Sequence, residues 1–110
     1  MFSCNMREGT YRSFNGHDGL ACRYEISKGG MYVSCLGSGC PLVDYQWQCI
    51  SSKRDTTILD AIANDNGKHS LIKFIRKHDF RQCGSDVYLT YEKPSDGKYW
   101  VCMDTIIKIN

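Results

Sequence analysis

The sequence predicts an α+β fold, an antiparallel β-sheet with one or two helices packed on it, stabilised by disulfides as one domain over residues 1–110. Three observations carry that prediction. Leu42 to Ile50 alternates apolar and polar residues with the period of two that marks a half-buried strand. Between Asp55 and His78 the apolar spacing lengthens to that of a helix. Seven cysteines are scattered singly along 110 residues, as in small domains that supplement a limited core with disulfides.

Along the first half, strands are separated by glycine turns. Tyr11 to Phe14 reads as a short strand, followed by the turn cluster Asn15-Gly16-His17-Asp18-Gly19. Leu20 to Ile26 and Met31 to Cys35 flank Ser27-Lys28-Gly29-Gly30, a hairpin signal because glycine adopts positive φ without steric cost. Leu36-Gly37-Ser38-Gly39-Cys40-Pro41 is a loop. In the strand after it, Val43, Tyr45, Trp47 and Cys49 share one face, and Asp44, Gln46 and Gln48 share the other.

The middle segment changes period. Ile58, Leu59, Ala61 and Ile62 follow a helical i, i+1, i+4 arrangement, with Ser52 or Asp55 as the cap and Gly67 as the stop. From Ser70 to His78, Leu71, Ile72, Phe74 and Ile75 suit a second helix with Lys73, Arg76 and Lys77 outside; a strand over 70–78 is the alternative. Strands then return. Asp86 to Glu92 places Val87, Leu89 and Tyr91 opposite Tyr88 and Thr90. Lys93-Pro94-Ser95-Asp96-Gly97 turns the chain, and Lys98 to Met103 forms the hairpin partner, continued by Thr105 to Ile109.

The composition is 42% hydrophobic with a net charge of +2. It excludes a disordered tail and is too weakly basic to predict nucleic-acid binding. No apolar run is long enough to span a bilayer as a helix. No secretory signal is present in the chain as given, so the cysteine content implies a mature secreted protein whose signal has been removed. The cysteines are Cys4, Cys22, Cys35, Cys40, Cys49, Cys83 and Cys102. No Cys-x-x-Cys occurs, which removes the main support for zinc-ribbon and thioredoxin-type readings. Three intramolecular bridges are expected among six of the seven, with pairing open and the last a buried thiol or a link to a partner chain.

No catalytic motif emerges. His17, His69 and His78 are the candidates for acid–base chemistry, and each is accounted for as a surface histidine. Neither a metal nor a cofactor is expected, since the Asn15–Asp18 turn fits no calcium loop. The surface candidates are a basic group and an aromatic group. In a helix, Lys73, Arg76 and Lys77 share one face. Tyr88, Tyr99 and Trp100 crowd the final hairpin, and such rings dominate protein–protein hot spots.

Cys4, Gln48-Cys49-Ile50-Ser51, Cys83-Gly84-Ser85-Asp86 and Cys102 together resemble the small secreted cysteine-rich effectors of plant-pathogenic fungi, with killer-toxin-like features. Phe2-Ser3-Cys4 and Ala21-Cys22-Arg23-Tyr24 also resemble ribonuclease-like effectors of powdery mildews, here without their paired histidine and glutamate. The resemblance implies a secreted, non-enzymatic virulence or avirulence protein in the host apoplast or host cell. Such a protein binds a host or partner protein, as a monomer or in a heteromer, and takes no small-molecule substrate. The alternatives are a killer-toxin-like or antimicrobial secreted toxin and a ribonuclease-like secreted protein, active or inactive.

Overall fold

The computed structural model describes residues 7–13, 21–36, 43–77, 87–94 and 96–109, and only the backbone of 21, 35, 36, 103 and 104. Eight strands follow one another: β1 (Gly9–Ser13), β2 (Ala21–Ser27), β3 (Gly30–Leu36), β4 (Val43–Lys53), β5 (Thr56–Ala63), β6 (His69–Arg76), β7 (Val87–Pro94) and β8 (Val101–Lys108). Each pairs antiparallel with the next, and β8 returns to β1 through Tyr11↔Lys108, Arg12↔Ile107 and Ser13↔Ile106. The sheet is therefore a closed up-and-down barrel. Ile109 extends the seam by donating its N–H to the Thr10 carbonyl at 2.8 Å.

This architecture replaces the expected α+β fold. Both segments expected as helices are strands, and no helix occurs among the described residues. The cause is visible in β5, where Leu59, Ala61 and Ala63 are buried while Ile58 and Ile62, on the other face, are half-buried. Apolar residues on both faces erase the period-two signal, and the remaining spacing imitates a helix. In β6, Ile72 and Phe74 point inward while Leu71 and Ile75 are half-buried on the other face. The β-branched residues Thr56, Thr57, Ile58 and Ile62 favour the strand. Gly67 is not a helix stop but part of a hairpin: its φ is 71°, and its N–H donates to the Ala63 carbonyl at 2.8 Å.

The other turns follow the sequence. Ser27 pairs with Gly30 across a two-residue loop, and Gly29 has a φ of 78°. Gly97 donates to the Pro94 carbonyl at 2.9 Å, closing the β7–β8 turn. A Cβ at Gly97 would come within 3.3 Å of that carbonyl oxygen.

Side chains fill the interior, as the bore of an eight-stranded barrel allows. Tyr11, Tyr24, Ile26, Met31, Leu59, Ala61, Ile72, Phe74, Tyr88 and Ile106 form one buried cluster, with Cys22, Val33, Tyr45, Trp47 and Cys49 packed against it. The expected inner face of β4 is thus observed. Trp47 also donates Nε1–H to the Gly30 carbonyl at 2.7 Å, tying β4 to the β2–β3 hairpin. Edge-to-face rings cross the interior, with Tyr11 5.8 Å and Phe74 6.4 Å from Tyr88 between centroids. No helix among the described residues is long and apolar enough to cross a membrane.

Candidate functional site

Two groups of side chains stand out, one on the outer wall and one at an end of the barrel. Lys73 on β6 lies opposite Tyr91 on β7. Its ammonium sits 5.0 Å from the Tyr91 ring centroid and 4.4 Å from that of Trp100, just before β8. The cation is thus shared between two aromatic rings, each such interaction being worth about 0.5–1 kcal/mol at exposed sites. The β7–β8 turn and a register shift at Thr90/Tyr91 set the position of Trp100. Beside it Tyr99 is 79% exposed and Val101 54% exposed.

The structure divides the six residues expected to bind a partner. Lys73, Tyr99 and Trp100 fall together on the outer wall. Tyr88 does not join them: it is only 4% exposed, turned into the core. The basic face expected from Lys73, Arg76 and Lys77 does not form, because in a strand residues three apart point to opposite sides. Arg76 ends β6 at the barrel end, opposite Tyr88, and Lys77 is half-buried, with its N–H donating to the Val87 carbonyl at 2.8 Å. Tyr91 completes the outer group. Its alternation with Tyr88 along the strand was the signal that one of the two must face outward.

At that barrel end, Arg7, Arg54, Asp55, Thr57, Arg76 and Tyr88 line a cavity of about 250 Å³. Sequence reading missed this gathering because its members lie ahead of β1, in the β4–β5 turn and on β5, β6 and β7.

Of the histidines, His17 and His78 lie outside the described residues. His69 Nδ1 is 3.2 Å from Asp60 Oδ1 on the outer side of β5 and β6. No group of three or more metal-ligating side chains gathers among the described residues. Inside the barrel, burial raises the Tyr45 hydroxyl above its ordinary pKa, and the negative charges of Glu92 and Asp65 push it further.

Cys22 is disulfide-bonded, whereas Cys49 and Cys102 are thiols. Seven cysteines less these two leave five, so two intramolecular bridges are the most the chain can hold, not the three expected. The Cys49 thiol contacts the Ser51 carbonyl at 3.8 Å. Cys35 lies opposite Cys22 in the β2–β3 register, and Cys4, Cys40 and Cys83 fall outside the described residues. No family model, curated protein or solved structure matches this chain.

Proposed function

We propose that this protein acts without enzymatic chemistry, by binding a partner protein through the outer wall formed by β6, β7 and the start of β8. The observation that supports this reading most is the Lys73–Tyr91–Trp100 cluster with Tyr99 and Val101 exposed beside it. Tyrosine and tryptophan offer large amphipathic contact areas at low entropy cost and are enriched in binding hot spots. A tyrosine as exposed as Tyr99 has little to contribute to folding. On its cysteine content and its resemblance, the protein is further proposed to be a secreted effector whose partner is a host protein.

The test is affinity capture from host extract with the wild-type chain and with the Tyr99→Ser/Trp100→Ala variant, followed by titration of the purified partner. The expected result is a partner held by the wild type and weakened at least tenfold by the double substitution, with unchanged circular dichroism. Equal affinity of both chains for the partner would refute the assignment of this face.

A further inference from the structure

We propose that the outer wall of β6, β7 and the β7–β8 turn takes an acidic protein segment, one that sets carboxylates against lysines and apolar side chains against the rings. This inference rests on the binding face proposed above and names the chemistry of its partner. Three ammonium groups border the rings. Lys73 is held between Tyr91 and Trp100. Lys93 lies two residues beyond Tyr91, and so on the same side of β7, opposite Leu71 in the β6–β7 register. Lys98 is exposed in the turn, next to Tyr99.

These charges are not neutralised from within. Among the described residues, no carboxylate forms an ion pair with Lys73, Lys93 or Lys98. Within the described residues of β6, β7 and the turn, the carboxylates are Glu92 and Asp96. Glu92 alternates to the other side of β7 from Tyr91 and Lys93, where its negative charge acts on the Tyr45 hydroxyl inside the barrel. Asp60, in the same cross-strand row as Leu71 and Lys93, has His69 at 3.2 Å. That leaves Asp96 against three ammonium groups.

Contact with a ring face orients an ammonium without cancelling its charge, and an ammonium has three N–H donors. Lys73 therefore meets a carboxylate with its side chain already placed, which lowers the entropic cost of pairing. The apolar part of the partner meets Tyr99 and Val101, both exposed, and the half-buried Leu71 beside Lys93. A net charge of +2 is small for a binder of nucleic acid or another polyanion. Lysines set among exposed rings suit instead a partner that offers both carboxylates and apolar side chains. Complementary charge gives specificity and fast encounter more than affinity, so the rings hold this partner and the lysines select it.

The experiment is a fluorescence-polarisation titration of the full chain with the labelled peptide Glu-Glu-Phe-Glu-Leu-Glu-Glu, with counterparts carrying glutamine or lysine for every glutamate, and with labelled heparin. The glutamate peptide should bind saturably, at least tenfold tighter than the glutamine peptide, and the lysine peptide should not bind. Lys93→Gln and Lys98→Gln should each raise Kd about two- to fivefold, and the triple variant with Lys73→Gln at least tenfold. Lys28→Gln, on the β2–β3 turn, should leave it unchanged. The bound glutamate peptide should also shield the exposed Cys102 thiol, opposite Tyr91 in the β7–β8 register, from alkylation. No saturable binding at millimolar concentration, equal binding of the glutamate and glutamine peptides, or an equal loss from Lys28→Gln would overturn the inference. Heparin held through these lysines while the glutamate peptide is not would overturn it in favour of a polyanion. The two readings fail separately. A partner from host extract weakened by Tyr99→Ser/Trp100→Ala but not by the lysine variants keeps the face and removes its acidic partner, whereas peptide binding indifferent to Tyr99→Ser/Trp100→Ala removes both. If the triple variant fails to fold, Lys93→Gln and Lys98→Gln decide the matter.

Discussion

Replacing Phe74 by alanine tests the barrel interior directly. The ring is fully buried near the middle of β6 and packs edge-on against Tyr88 at 6.4 Å, with 86° between the planes. Returning a phenylalanine to water forfeits about 1.5–3 kcal/mol of burial, and the ring pair adds about 0.5–1.5 kcal/mol. With the residual cavity the expected loss is about 3–5 kcal/mol. At about 4 °C per kcal/mol for a domain of this size, the midpoint of thermal unfolding should fall by about 12–20 °C. Urea denaturation followed by circular dichroism measures the free energy. Phe74→Leu, which keeps most of the volume, should cost under about 1.5 kcal/mol. A double-mutant cycle of Phe74→Leu with Tyr88→Leu should return a coupling of about 0.5–1.5 kcal/mol. A loss below about 1 kcal/mol for the alanine variant, with an unchanged denaturant slope, would refute the tightly filled interior.

Three further outcomes are expected. Gly67→Ala should destabilise by about 1 kcal/mol, because at a φ of 71° the penalty is conformational rather than steric and nothing lies within 4 Å of the added carbon; a neutral effect in urea titration would contradict the hairpin geometry. Tyr45 holds its proton more tightly when folded than its unfolded value of 10.0. Its stabilising contribution is therefore complete below pH 10 and is lost as pH rises through the higher folded value. Tyr45→Phe should flatten the alkaline loss of stability in urea titrations, and identical wild-type and variant profiles would count against it. Native alkylation followed by mass spectrometry should label the exposed Cys102 first, the half-buried Cys49 slowly and Cys22 not at all; labelling of Cys22 would remove its disulfide.

Much of the strand layout was legible in the sequence. The β2–β3 hairpin follows from Gly29 and Gly30, the inner face of β4 from its alternation, and the β7–β8 turn from Pro94 and Gly97. Each is a local property, set by the φ a residue tolerates or by the side to which it points. The alternation failed in β5 and β6, where Ile58, Ile62, Leu71 and Ile75 occupy an outer face that is itself half-buried. The outer aromatic group was partly visible, since Tyr99 and Trp100 adjoin a turn, but Lys73 joins it only through the β6–β7 register.

The sequence by itself determined the β2–β3 and β7–β8 turns and the inner face of β4, and that Tyr88 and Tyr91 must part company across a sheet. Only the tertiary structure decided that the sheet closes on itself, that Tyr88 faces inward, and that Arg7, Arg54 and Arg76 surround one cavity. The reason lies in the range of the interactions. Turns and alternation act over a few residues, whereas β1 meets β8 through hydrogen bonds and inward-facing side chains separated by most of the chain.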